Sequence, residues 1–333
     1  MSDLPLLLSS DIPSSCPITD LVMVEAGDGP LVVCADFYGA VWTWNPLRDV
    51  WRKRPLTYAF TEDPLAAQYP DAENEIDAVA VAVSDGRVVL AGGGDEQAPA
   101  IWDLESGELL RGATYDAPYL GAVATVRGEG PPRFVTGSQY AGEVMVRGVS
   151  ADVAPVELPS EEDYVTSLAT AWIGGRSLVA VGGSQIDVWD LARAERLTEL
   201  YPYDVGVRAV ALSRLDVRPI VAAASHSGEV YVWELSGGDD GEPIHEPIAG
   251  HEDRVCAMDT VEVGGRTLAV TGAKDETVRL WDLAEGAAVG APLIGHRGGV
   301  EAVLTATLRG RQVVLSAGRD GTIRGWDLAA LLR

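Results

Sequence analysis

The sequence predicts an all-β chain folded as a seven-bladed propeller, and three observations carry that expectation. The first is an internal copy. Residues 250–283 read GHEDRVCAMDTVEVGGRTLAVTGAKDETVRLWDL, and residues 295–328 read GHRGGVEAVLTATLRGRQVVLSAGRDGTIRGWDL. At an offset of 45 residues His251 falls on His296, Thr271 on Ser316, Asp275 on Asp320 and Trp281 on Trp326. A period of roughly 40–45 residues that opens on Gly-His and closes on Trp-Asp marks a four-stranded blade. The second observation is local. VVLSAG and TIRGW are short β-rich runs joined by a tight GRDG turn, and GVEAVLTATL before them alternates small and apolar residues as a further strand. The third is a pair of rulers along the whole chain. Ile18, Ile76, Leu120, Val165, Val207, Val255 and Val300 open inner strands. Trp44, Trp102, Val146, Trp189, Trp233, Trp281 and Trp326 follow 26 residues later, or 24 in the fourth copy. Seven copies over residues 1–333 are read as a single domain.

The quoted repeats resemble the WD40-repeat family. That resemblance implies a hydrogen-bonded set inside each intact blade. Here it falls on His251, Thr271, Asp275 and Trp281, and again on His296, Ser316, Asp320 and Trp326. In such a set each donor meets an acceptor, so the polar groups are buried without an uncompensated desolvation cost. A catalytic Ser/His/Asp reading competes for these residues. Repetition of the constellation at one spacing favours the structural role.

Taken in order, the first blade has ITDLVMVEAG and PLVVCADFYGAVWTWN, with Asn45 after Trp44 where the family has Asp. The step from Ile18 to Ile76 is 58 residues, and the surplus lies in residues 58–75, an acidic stretch without alternation. A long loop is expected there. Long loops on rigid scaffolds often carry function, although a tolerated insertion is the competing account. The second blade keeps Trp102 and Asp103 but has Gly92 and Glu96 in the hydrogen-bonding slots. The third puts Val146 and Arg147 where Trp-Asp belongs, the fourth has a turn two residues shorter, and the fifth has Ala223 for the hydroxyl. The sequence ends just after the third strand of the seventh blade. Residues 4–9, LPLLLS, are therefore expected to return as its fourth strand, with Leu6, Leu7 and Leu8 in it, removing an exposed edge.

Composition narrows the function. The chain carries 50 acids against 25 Lys and Arg, a formal charge of −25, and residues 1–150 alone hold 22 acids and 9 bases. Such a surface repels nucleic acid and anionic lipid, so neither is expected as a partner. Cys16, Cys34 and Cys256 are too few and too scattered for a disulfide framework or a zinc cluster, and read as small buried residues. The N-terminus lacks a basic region and a long apolar run, and no stretch approaches the ~18 apolar residues of a membrane span. A cytoplasmic protein is expected. Only Lys53 and Lys274 are lysines, a bias that with abundant Ala, Gly and Val hints at a GC-rich bacterial genome.

No P-loop, dinucleotide fingerprint or HExxH is present, and the glycines at 92–94 and 182–183 read as hairpin turns, with no helix after them to complete a phosphate cradle. The run Asp239, Asp240, Glu242 and His245 lacks metal-loop spacing and reads as a solvated acidic connector. No cofactor and no metal are expected. In the family, the residue before the turn Asp projects onto the disc face with the wider channel mouth. Carried over, this implies Phe37, Asp95, Gln139, His226, Lys274 and Arg319, with Gln185 approximate. Residues at the strand starts reach the same face: Glu73, Glu75, Ala117, Tyr119, Tyr164, Asp204, Glu252, Arg254 and Arg297. The rim is thus divided, basic in blades five to seven and acidic in one and two. Arginine forks bind carboxylate and phosphate in bidentate fashion. The leading expectation is a non-catalytic scaffold that binds a protein or peptide, a carboxylate- or phosphate-bearing one suiting the arginines, through Arg254, Lys274, Arg297, Arg319 and His226, flanked by Phe37, Tyr119 and Tyr164. A solvated rim is the bland account. The alternatives in another class are an enzyme using His226 as acid–base, and a regulatory subunit holding a small anionic metabolite in the channel mouth.

Overall fold

Strands that are covered on both faces need apolar residues at successive positions, and the middle strands of this chain have them. In Arg266–Ala273, RTLAVTGA, every residue after the arginine is buried. The computed structural model describes residues 6–27, 29–57, 59, 74–94, 97–112, 118–160, 163–203, 206–235 and 241–332. After a first strand, β1 (Leu6–Asp11), the chain makes one antiparallel blade after another. Blade one is β2 (Ile18–Ala26), β3 (Gly29–Asp36), β4 (Val41–Asn45) and β5 (Val50–Arg54). Blade two is β6 (Ala78–Ser84), β7 (Arg87–Gly94), β8 (Gln97–Asp103) and β9 (Leu109–Arg111). Blade three is β10 (Leu120–Thr125), β11 (Arg133–Ser138), β12 (Val144–Gly148) and β13 (Val156–Leu158). Blade four is β14 (Ser167–Ile173), β15 (Arg176–Gly182), β16 (Ile186–Asp190) and β17 (Glu195–Leu200). Blade five has β18 (Val207–Leu215), β19 (Arg218–Ser225) and β20 (Val230–Glu234). Blade six is β21 (Val255–Val263), β22 (Arg266–Ala273), β23 (Val278–Asp282) and β24 (Ala287–Leu293). Blade seven is β25 (Val300–Leu308), β26 (Arg311–Gly318) and β27 (Thr322–Asp327), and a one-turn helix, Leu328–Leu331, follows. The fold is a seven-bladed β-propeller, all-β as expected.

The chain forms two compact units, Thr19–Leu168 on one hand and Met1–Ile18 with Ala169–Arg333 on the other. The first holds blades one to three; the second holds blades four to seven and β1. In both, five of the seven ruler residues open their strand, while Ile76 and Val165 lie buried two residues ahead of β6 and β14. Within the second unit, side chains also link neighbouring blades. Thr267 donates its hydroxyl to the Arg214 carbonyl at 2.7 Å, and Asp259 accepts from both the backbone and the hydroxyl of Thr305.

The third blade departs from the ruler. Gly137 pairs with Val144 there, whereas the corresponding Gly272 of blade six pairs with Val278, so the hairpin of blade three is one residue longer. The consequence is a shift of register: Trp281 stands opposite Ala269, and the residue in that place is Arg147, opposite Phe134. Arg147, and not Val146, occupies the tryptophan position. Its Nε–H donates to the Thr136 hydroxyl at 3.0 Å, much as the Trp281 indole N–H donates to the Thr271 hydroxyl at 2.7 Å.

Closure follows the expected route. β1 pairs antiparallel with β27, Leu6 opposite Trp326 and Asp11 opposite Thr322, and completes the sheet order β1-β27-β26-β25. Leu6, Leu7 and Leu8 all lie in this strand, which runs on to Asp11. Leu6 and Leu7 are exposed, so the backbone ladder holds much of the strand. The Thr322 hydroxyl bond to Asp11 at 2.7 Å and the Ile12 N–H to Gly321 carbonyl at 2.8 Å anchor its far end. Leu8 packs so closely on Gly325 that a Cβ there would lie 2.6 Å from Leu8 Cγ. Deleting residues 1–10 strips β27 of its partner and leaves an open edge. The melting temperature is expected to fall by at least about 5 °C; an unchanged value in differential scanning calorimetry contradicts this role of β1.

Candidate functional site

The site rests on the two intact blades. The Trp281 indole only donates and the Asp275 carboxylate only accepts, so His251 carries its hydrogen on Nδ1 and the Nε2 of the neutral ring accepts. Trp281 Nε1–H donates to Thr271 Oγ1 (2.7 Å), which leaves the Thr271 hydrogen for His251 Nε2 (2.7 Å). His251 Nδ1–H then donates to Asp275 Oδ2 (2.8 Å). Asp275 also accepts from the Glu252 N–H at 3.0 Å and from the hydroxyl of Thr277 at 2.7 Å. Blade seven repeats the arrangement: Trp326 to Ser316 at 3.2 Å, Ser316 with His296 at 2.8 Å, and His296 with Asp320 at 3.0 Å. The Gly-His glycine has its own reason. A Cβ on Gly250 would come within 2.7 Å of the Trp281 ring.

The other blades satisfy their tryptophan by other means. Trp44 donates to the Asp49 carboxylate at 2.9 Å, Trp102 to the Thr57 carbonyl at 2.7 Å and Trp233 to the Gly241 carbonyl at 2.8 Å. The Trp189 N–H has no acceptor among the described residues. In blade five Tyr203 stands four residues before Val207, at the histidine offset, and meets Tyr231 edge-on at 5.9 Å; Tyr231 stacks on Trp233 at 5.7 Å. Aromatic contact thus replaces the polar relay.

The turn aspartates of blades six and seven place Glu252 and Arg297 through backbone bonds at 3.0 Å, so the buried sets also position the rim. The basic residues there fall into two kinds. Lys274 and Arg319 both bond the same oxygen of Glu301, Arg319 at 2.7 Å. Burial works against the Glu301 carboxylate, but the two cations outweigh it and hold its pKa below the usual value. Arg254, half-buried, and Arg297, exposed, have no carboxylate within 4.0 Å of their guanidinium groups among the described residues. His226 is exposed, and its backbone N–H donates to Gly206 at 3.3 Å. Cys256, half-buried beside Glu301, has its thiol pushed up to about 11 by burial and by that carboxylate, so it is no thiolate nucleophile at neutral pH.

Of the three cysteines expected to be small buried residues only Cys34 is buried, Cys16 and Cys256 being half-buried, and the position that Glu301, Cys256 and Arg208 share was not singled out in the sequence. Each follows a strand opener, at a β-bulge between Val300 and Ala302, Val255 and Ala257, or Val207 and Ala209. The bulge turns the residue out of the pleat, and the position next to each opener was the signal available. Of the remaining expected contacts, Phe37, Tyr119 and Tyr164 belong to the unit of blades one to three. Phe37 is exposed and meets Tyr38 edge-on at 5.6 Å; Tyr119 is exposed and Tyr164 half-buried. Glu73, Asp95, Glu96, Ala117, Asp204, Asp239 and Asp240 lie outside the described residues, as does most of the 58–75 stretch. Its two ends are latched: the Ala59 N–H donates to the Asn74 side chain at 2.9 Å. Glu242 accepts from Tyr203, and His245 bonds the carbonyls of Glu246 and Leu283. Among the described residues no three His, Cys, Asp or Glu side chains gather as a metal site, and no helix is long and apolar enough to cross a membrane.

The family profile described as WD domain, G-beta repeat matches residues 235–282 and 290–327, the two blades with the complete buried set. Those two stretches are WD40 repeats. Three relatives show how far the likeness extends. Autophagy-related protein 16 of Arabidopsis thaliana is 31% identical over 101 residues, 30% of this chain and 18% of the relative. Transducin-like enhancer protein 2 of Mus musculus is 28% identical over 142 residues, 42% of this chain and 17% of the relative. Protein groucho of Drosophila melanogaster is 27% identical over 137 residues, 40% of this chain and 18% of the relative. The chain spans less than a fifth of the length of each. All three are eukaryotic proteins, so they lend nothing to a bacterial source.

The buried sets give the two repeats a definite acid response. Burial opposes the charge on Asp275 and Asp320, yet bonds from His251 and His296 and from nearby hydroxyl and backbone donors hold both carboxylates below the usual range. A carboxylate lowered in the folded state contributes stability above its unfolded pKa and loses it as pH falls. The wild type is therefore expected to lose stability below about pH 4. Asp275→Asn should be less stable at pH 7 by about 1–3 kcal/mol and show a shallower loss between pH 5 and pH 3. Urea unfolding across that range checks it; parallel pH profiles contradict it.

Proposed function

We propose that this chain is a non-catalytic WD40-repeat scaffold, acting as one domain in the cytoplasm, that holds a protein partner through an acidic segment. The observation that carries the reading is the uneven state of the basic cluster. Glu301 already occupies Lys274 and Arg319, which leaves Arg254 and Arg297 as the guanidiniums free to fork a carboxylate or phosphate. On a chain of charge −25 such a pair is distinctive, and arginine is among the usual energetic anchors of interfaces. In this reading Lys274 and Arg319 fix the local shape of the site and His226 borders it, all within the unit of blades four to seven. The same net charge speaks against nucleic acid and anionic membranes. Against an enzyme, the two hydroxyl–histidine–carboxylate sets among the described residues are buried inside blades six and seven, with Thr271 and Ser316 fully out of reach of a substrate.

The reading predicts that immobilised wild-type protein retains a partner from native lysate in low salt. The Arg254→Ala/Arg297→Ala variant should retain it at least about ten-fold less, in keeping with the loss of two charged contacts. Equal retention by wild type and variant refutes the site.

A further inference from the structure

A second surface, built on different residues, lies beside the third strand of blade five. Tyr201 and Tyr203 are 57% and 64% exposed. Neither ring is loose. The Tyr201 hydroxyl donates to Glu199 Oε2 at 3.0 Å and the Tyr203 hydroxyl to Glu242 Oε2 at 2.5 Å. Tyr203 is further braced edge-on against Tyr231, whose hydroxyl donates to Glu229 at 2.8 Å. Ile244, 40% exposed, adds apolar surface, and its N–H is fixed to the Val232 carbonyl at 2.8 Å. The rings are thus presented in set orientations, so a ligand meets a surface with little left to order.

Charge then selects the ligand. The carboxylates tied to these phenols are Glu199, Glu229 and Glu242, and the cation in contact with them is Arg196, which is shared between Glu199 and the buried Asp187. A phenol that donates its proton to a carboxylate has a more electron-rich ring, and a ring face beside carboxylates attracts a cation. Of the basic side chains arginine fits best, because its planar group stacks on a ring while its N–H groups reach an adjacent carboxylate. We propose that Tyr201 and Tyr203, with Glu199 and Glu242, form a docking surface for an arginine-bearing basic segment of a partner protein. Its residues are distinct from the arginine cluster of blades six and seven, so it stands whether or not that cluster binds an acidic segment.

The test uses the full chain and a labelled probe, acetyl-Gly-Arg-Gly-Arg-Gly-amide, with the glutamate counterpart as control. Tyr201→Leu/Tyr203→Leu leaves the net charge unchanged, so diffuse attraction to an acidic surface predicts no effect. The proposal expects the arginine probe to bind wild type and not the control peptide, and to bind the leucine variant at least five-fold more weakly. Glu199→Gln/Glu242→Gln, which keeps both rings, should also weaken binding at least three-fold and serves if the leucine variant does not fold. Equal binding of the arginine probe by wild type and either folded variant, or no binding to wild type, overturns it.

Discussion

The buried indole N–H on the third strand of every blade but the third sets the terms for the rest of the structure. Tryptophan is the largest apolar side chain available to fill the space there, but it brings one donor that water cannot reach. Leaving such a donor unmade costs about 1–3 kcal/mol. Blades six and seven meet the demand with a hydroxyl, which is bonded in turn to a histidine, and the histidine to a carboxylate. One constraint therefore orders four side chains, closes the hairpin turn and fixes where the next strand begins. The rim residues next to His251 and His296 are placed by the same bonds.

Seen this way, the divergent blades are different solutions to one problem. Trp44 finds the side chain of Asp49, and Trp102 and Trp233 find backbone carbonyls, at Thr57 and Gly241. Blade three dispenses with tryptophan and puts Arg147 in its place, still bonded to a threonine hydroxyl. Burial and the nearby Arg111 press on that guanidinium and lower its pKa, which is the electrostatic cost of the substitution. Blade five stacks Tyr231 on Trp233 and sets Tyr203 edge-on against Tyr231, and the exposed Tyr203 ring is what makes a second surface available.

The fold was legible in the sequence because period, strand openers and tryptophans report backbone geometry that the blade cannot alter much. The closing strand was legible for a similar reason: β27 needed an edge partner and the first leucines could supply one. Arg147 was not, since a one-residue longer hairpin moves the register without changing the apolar pattern. Nor was Glu301. A carboxylate that pairs with Lys274, 27 residues earlier in the chain, and Arg319, 18 residues later, has no local signature, and its bulge is visible only once β25 and β26 are paired. That pairing divides the four basic residues into Lys274 and Arg319, bonded to Glu301, and Arg254 and Arg297, which have no carboxylate partner among the described residues.

The most direct measurement is hydrogen exchange at the individual tryptophan indole N–H groups, followed by NMR in native conditions. Trp281 and Trp326, each with a buried hydroxyl acceptor that is itself held by histidine, should exchange slowest. Trp189, without an acceptor among the described residues, should exchange first. If Trp189 is protected as long as Trp281 and Trp326, the indole bond is not what secures the blades, and the account built on it is wrong.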